Sequence, residues 1–329
     1  MTNRWSQERA WEWYGGYRWL VGCNFTPSTA INQLEMWQAD TFDEETIERE
    51  LGWASEIGFN TARVYLHDLV WEIDSTGVIE RINRFLEIAS SKGIKPMFVF
   101  FDDCWNPTFE AGKQPEPKPG VHNSGWVQSP GPEKVVDPSM WGTLENYVKG
   151  ILTAFGNDDR ILLWDLYNEP GNDKRGSKSL GFLKEVFRWA RDVDPSQPIS
   201  VGVWFDNNEL NAFQLANSDI VTFHDYHDAA HLEEQISRLK EQGRPMICTE
   251  YMARTNGSFF KTSLPVFKRE NVGCINWGLV DGKTQTKYPW GSEPGSPEPE
   301  LWFHEIFHGD GIPYLQDEVD LIRRLTSSE

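Results

Sequence analysis

The chain has 329 residues, 39% of them hydrophobic and 25% charged, which suits a soluble globular protein of one large domain or two ordinary ones. With 50 acidic residues against 31 basic ones the net charge is −19, which argues against a nucleic-acid backbone or an anionic membrane as partner. The four cysteines, Cys23, Cys104, Cys248 and Cys274, are far apart and form no C-x-x-C pair, so they read as reduced, buried thiols rather than a disulfide frame or a zinc site. No run is apolar enough to span a membrane, and the N-terminus MTNRWSQERAWEWY lacks the apolar core of a signal peptide. The expectation is a cytoplasmic protein, with an exported form whose signal has been removed as the alternative. Nothing in the sequence specifies an oligomeric state.

Taken in order, residues 1–18 predict a short aromatic helix, rich in Trp and Tyr, that caps one end of the domain. Residues 19–25 (WLVGCNF) are the first strand, followed by a polar and aromatic loop. Thr41 or Asp43 caps a helix whose apolar residues Ile47, Leu51, Ala54 and Ile57 share one face, and Gly58 closes it. Strand two is NTARVYL, 60–66. The pattern then repeats: a helix ending at Gly93 and a strand at 95–101, then a helix at 141–155 and a strand that begins at Ile161. Further helices precede strands at 199–204, 220–226, 245–250 and 272–279, and a last helix runs from Gln316 to about Leu325. Eight strands alternating with helices, with no linker between them, predict a single α/β domain over 1–329, a (β/α)8 TIM barrel. The competing open sheet usually carries a Gly-rich phosphate turn after its first strand, and here that strand ends in Asn24-Phe25-Thr26-Pro27.

Two connections are long, 102–138 after strand three and 280–313 after strand eight. Loops of that length after barrel strands lie at the carboxyl-end mouth and usually carry function. The chain has 16 Trp and 9 Tyr, and rings in such loops suit stacking on the C–H faces of sugars. His67, Asp68, His122 and Asn123 are candidates to line the cleft.

The segment ILLWDLYNEP, 161–170, carries the chemistry. Ile161, Leu162, Leu163 and Leu166 form a buried strand that delivers Asn168 and Glu169 to the mouth, where Pro170 stops the pairing. Glu250 ends strand seven and converges on the same cleft. Two carboxylates across a cleft are what glycosidic-bond cleavage requires, one protonated and one ionised.

Asn168-Glu169-Pro170 on strand four, Glu250 on strand seven and Trp277 on strand eight together resemble glycoside hydrolase clan A, and within it the cellulase-like family 5. The resemblance implies a retaining hydrolase of neutral β-linked glucan, mannan or xylan chains or their oligosaccharides, without metal or cofactor. It implies Glu169 as acid/base, raised by partial burial, and Glu250 as nucleophile. It further implies that Asn168 binds the sugar 2-hydroxyl, that Arg63 steadies the ionised nucleophile, that His224 and Tyr226 form the His-x-Tyr of strand six, and that Trp277 floors the sugar subsite. The chain departs from the family at the end of strand three, where Phe101-Asp102-Asp103 replaces the common histidine and puts a carboxylate, Asp102, beside the cleft.

Two other readings stand beside this one. A metal-dependent barrel hydrolase would draw on His67, Asp102, His122, His224 or His227, although Gly22-Cys23-Asn24 offers no H-x-H on strand one. A barrel that binds glycan without cleaving it needs no second carboxylate, and both are present.

Overall fold

The computed structural model describes residues 4–327, so the first three residues of the expected aromatic cap and the last two of the chain lie outside the described residues. Eight strands form one parallel sheet: β1 (Val21–Asn24), β2 (Thr61–Tyr65), β3 (Lys95–Asp102), β4 (Leu163–Asn168), β5 (Ile199–Ser200), β6 (Val221–His224), β7 (Met246–Tyr251) and β8 (Gly273–Asn276). The sheet runs β5-β4-β3-β2-β1-β8-β7-β6, and a parallel bridge from Val203 to Phe223 joins its two ends into a (β/α)8 barrel. Helices cover the outside, and their apolar stripes pack on the outward rows of the strands. This burial of both faces is why the strand sequences read as near-continuous apolar runs.

Local chemistry explains where elements start and stop. Asp43, not Thr41, caps the helix Glu44–Glu56, its Oδ1 accepting the Thr46 N–H at 3.0 Å. The next helix spans Asp68–Ser91, longer than its apolar stripe, because two helices meet at Asp74 (φ −156°, ψ 67°). There the Asp74 carboxylate accepts the Gly77 N–H at 2.9 Å and restarts the helix. β5 is shorter than the expected 199–204: the Gly202 carbonyl accepts from the Gln214 side chain at 2.6 Å, and only Val203 rejoins the sheet.

The helix Gln7–Gly15 sits under the barrel, where Ala10 and Tyr14 pack with Leu20, Met97, Leu163 and Ile275 from the strand starts. The mouth at the opposite end is thereby left to the loops. Among the described residues no helix is long and apolar enough to cross a membrane.

Candidate active site

Arg63 on β2 is the centre of the mouth. Its side chain is buried, and its Nη1 donates to Glu250 Oε1 at 2.7 Å, to Tyr65 OH at 2.6 Å and to Asn24 Oδ1 at 3.0 Å. Its Nε and Nη2 bind Asp165 Oδ2 at 2.9 and 2.7 Å, and Nη2 also reaches Asn168 Oδ1 at 2.7 Å. Burial works against the guanidinium charge, but Tyr65, Asp165 and Glu250 more than offset it and hold Arg63 well above its ordinary value. Glu250 receives two further donors, Tyr65 OH on Oε1 at 2.9 Å and Tyr226 OH on Oε2 at 2.8 Å. A carboxylate met only by donors is suited to the ionised form. Burial pushes both phenols far above their usual range, so each keeps the proton it donates.

Glu169 follows the last paired residue of β4 and takes a left-handed conformation (φ 46°), uncommon for a residue with a Cβ. Its Oε1 lies 2.9 Å from His224 Nδ1, which is also 3.5 Å from Glu250 Oε2. Its Oε2 accepts from Asn172 Nδ2 at 2.6 Å and from the Cys104 thiol at 3.1 Å. Carboxylate oxygens of Glu169 and Glu250 lie within 4.8 Å of one another. Burial favours the neutral acid, but the hydrogen bond and charge of His224, with those of Cys104 and Asn172, hold Glu169 below its ordinary range. The expected elevation of Glu169 is therefore not found in the free protein: its buried position is offset by a histidine within hydrogen-bond reach.

The two aspartates at the end of β3 divide the work. Asp102 Oδ1 accepts from Asn168 Nδ2 and from the Cys104 N–H, both at 2.9 Å, and Oδ2 accepts from Trp126 Nε1 at 2.8 Å. Burial pushes its carboxyl up to about 7. Asp103 faces away from the cleft, bound to Arg175, to Tyr167 OH at 2.6 Å, to Ser179 Oγ at 2.7 Å and to the Gly171 N–H at 2.8 Å. It fixes the turn that carries Glu169.

The cleft has a volume of about 700 Å³ and is lined by Asp102, His122, Asn123, Asn168, Glu169, His224, Tyr226, Glu250 and Trp277 among others, so most of the expected site residues converge on it. Arg63 lies beneath it. His67 does not line it: its Nδ1 accepts the Leu69 N–H at 3.1 Å, capping a helix, and its Nε2 pairs with the Gln128 carbonyl at 3.0 Å. Asp68 turns with it, bonded to Ser129 and Lys134. The proposed metal set of His67, Asp102, His122, His224 and His227 is not brought together. His227 instead pairs with His231 and Asp225 on the exposed rim, the Asp225 carboxylate lying 3.1 and 2.9 Å from the two Nδ1 atoms.

Tyr65, Cys104, Asn172 and His304 complete the site without having been assigned to it in the sequence, and Trp126 joins them from the long loop after strand three. Of the four, Tyr65 carried a signal, two residues beyond Arg63 on the same strand and hence on the same face.

The family model for cellulase (glycosyl hydrolase family 5) matches residues 32–283. No curated protein matches the chain. Among solved structures, a variant of GH5_18 from Streptomyces cattleya in complex with Manb1-4GlcNAc superposes with a TM-score of 0.67 at 13% identity, over 95% of this chain and 82% of that one. The exo-beta-1,4-mannosidase Op5Man5 from Opitutaceae bacterium strain TAV5 gives 0.67 at 18% identity, over 94% of this chain and 60% of that one. The endo-beta-1,4-mannanase from Thermotoga petrophila gives 0.61 at 16% identity, over 95% and 77%. These likenesses are of fold, and the sequence match reaches further: the protein belongs to the cellulase family, glycosyl hydrolase family 5, and is a glycosidase acting on O-glycosyl compounds.

Proposed function

We infer that the protein hydrolyses neutral β-linked oligosaccharides or glycans, mannosides first among them, with retention of configuration and with Glu250 as nucleophile and Glu169 as acid/base. The observation that carries the reading is the spacing of the two glutamates, within 4.8 Å at their oxygens. Retaining enzymes hold the two carboxyl groups roughly 5–5.5 Å apart, whereas inverting ones leave room for a water. The preference for mannosides is supported by proteins that share the fold, a mannosidase, a mannanase and a GH5_18 variant in complex with Manb1-4GlcNAc.

The chemistry follows from the partners of each group. Glu250, fixed by Arg63, Tyr65 and Tyr226, attacks the anomeric carbon. Glu169 gives its proton to the leaving oxygen, and substrate in the cleft adds to the burial that favours its protonated form. Esterification of Glu250 then removes a negative charge close to Glu169, which loosens its hold on a proton and turns it into the base for the incoming water. Asn168, held by Arg63 and Asp102, presents its amide to the sugar.

Azide rescue tests the assignment. Glu250→Ala with azide should yield the α-glycosyl azide and Glu169→Ala the β-glycosyl azide, resolved by NMR on an activated aryl β-mannoside. The same anomer from both variants, or unimpaired hydrolysis by either, would sink it.

A further inference from the structure

One end of the cleft is closed by the two long connections, which are laced together. The Asn123 N–H donates to the Thr284 carbonyl at 2.8 Å, the Gly295 N–H to the Pro119 carbonyl at 2.8 Å, and His122 Nδ1 to the Tyr288 carbonyl at 2.7 Å. Trp105 stacks on His122 with ring centres 5.3 Å apart, and Trp290 packs edge-on against Tyr226 at 5.0 Å. The rim that carries His227 and His231 is open to solvent.

Among the described residues, three polar atoms in the closed wall have no partner. Asn123 is 1% exposed and lines the cleft, yet both its Oδ1 and its Nδ2 are unpaired. His304 is fully buried and lines the cleft as well. Its Nδ1 donates to the Met252 carbonyl at 2.6 Å, which leaves Nε2 as an acceptor, and that atom too is unpaired. Buried polar groups are ordinarily satisfied, and exceptions at a cleft mark places where a ligand completes the bonding. Asn123 and His304 together offer one donor atom and two acceptor atoms and carry no charge, a set that matches the adjacent hydroxyls of an uncharged pyranose.

We propose that Asn123 and His304 form the subsite that reads the free hydroxyls of the terminal, non-reducing sugar, which makes the protein an exo-acting glycosidase that removes one neutral sugar at a time. The inference rests on the reading of a neutral β-linked substrate given above. A sugar seated on the glutamates has its far edge against a wall that bonds it, so a longer chain extends only toward the open rim.

The test uses β-1,4-mannotetraose and cellotetraose tagged at the reducing end, together with aryl β-mannoside and β-glucoside and their 3-, 4- and 6-deoxy forms. The wild type should release untagged monosaccharide and tagged trisaccharide in its first turnovers. Asn123→Gly keeps the left-handed backbone (φ 52°) while deleting the amide. On the better parent glycoside it should lose about tenfold or more in kcat/KM, and on one of the deoxy forms at most about twofold, because that substrate never made the bond. Tagged mono- or disaccharide as first product, with the aryl glycosides still cleaved, overturns the inference and leaves the substrate reading intact. An equal loss on every deoxy form assigns Asn123 to packing and overturns it too. Silence on all the parent sugars removes the substrate reading itself, and the inference with it.

Discussion

The Cys104 thiol stands 3.1 Å from Oε2 of Glu169, while His224 holds the other oxygen of the same carboxylate. Burial, reinforced by Asp102, Glu169 and Glu250, pushes this thiol well above its ordinary range, so it is a hydrogen-bond donor and not a nucleophile.

Cys104→Ala removes a donor that helps hold Glu169 below its ordinary range. The pKa of Glu169 should rise, and the alkaline limb of the kcat/KM profile, which reports loss of the acid's proton, should move to higher pH. Activity near neutrality should change by only about two- to tenfold, and Cys104→Ser should restore the wild-type profile. A pH–rate series on an aryl glycoside checks this, and an unmoved alkaline limb would count against it. Native protein should also resist iodoacetamide at neutral pH.

Arg63→Met should cost both stability and turnover. It strands Asp165 and Glu250, both buried, without their shared cation. Removing one partner of such a pair costs about 3–5 kcal/mol, readable as a fall in the urea midpoint. Glu250 also loses its anchor, and kcat should fall about a hundredfold or more in whatever fraction stays folded. A variant with the wild-type midpoint would show that the hub contributes little to folding.

Two buried glutamates should make stability fall as pH rises toward about 8, while buried His122 and His304, held below their ordinary value, work the other way up to about pH 6.5. Burial pushes Glu305 up to about 8 and Glu50 up to about 7, against 4.5 for an ordinary glutamate. Above pH 4.5 the unfolded chain releases protons that the folded one retains, so stability is fully present below that value and is lost as pH climbs through the folded pKa values. The slope contributed by each group approaches about 1.4 kcal/mol per pH unit inside its window. Glu305→Gln should flatten the curve above pH 5, measured by chemical denaturation at several pH values. A difference between wild type and Glu305→Gln that does not change with pH would contradict the assignment.

The residues legible in the sequence were those whose position depends on strand periodicity alone. Asn168, Glu169 and Glu250 end strands, and a strand end of a barrel has one place to go, the mouth. Arg63 was legible for the same reason, and Tyr65 follows from it by the two-residue repeat. Cys104, Asn172 and His304 were not legible, because they arrive from turns whose direction is set by distant bonds, such as that of Asp103 to Arg175. His67 looked like a cleft residue from its place after strand two, but its ring is turned away to cap the helix it precedes. The protonation of Glu169 failed in the reading for a similar reason. Burial could be inferred from the strand, but the 2.9 Å approach of His224 could not.

Arg63 on β2 reaches Asn24 on β1, Asp165 and Asn168 on β4 and Glu250 on β7. None of β2, β4 and β7 can peel away without abandoning a charge in the interior, so these three strands open together or not at all. Amide hydrogens along β2, β4 and β7 should therefore exchange together, at the rate of global unfolding. Refolding has the same character in reverse: Glu250 is held in place only once separate parts of the chain have met at one guanidinium, and hydrolysis begins only with closure of the ring.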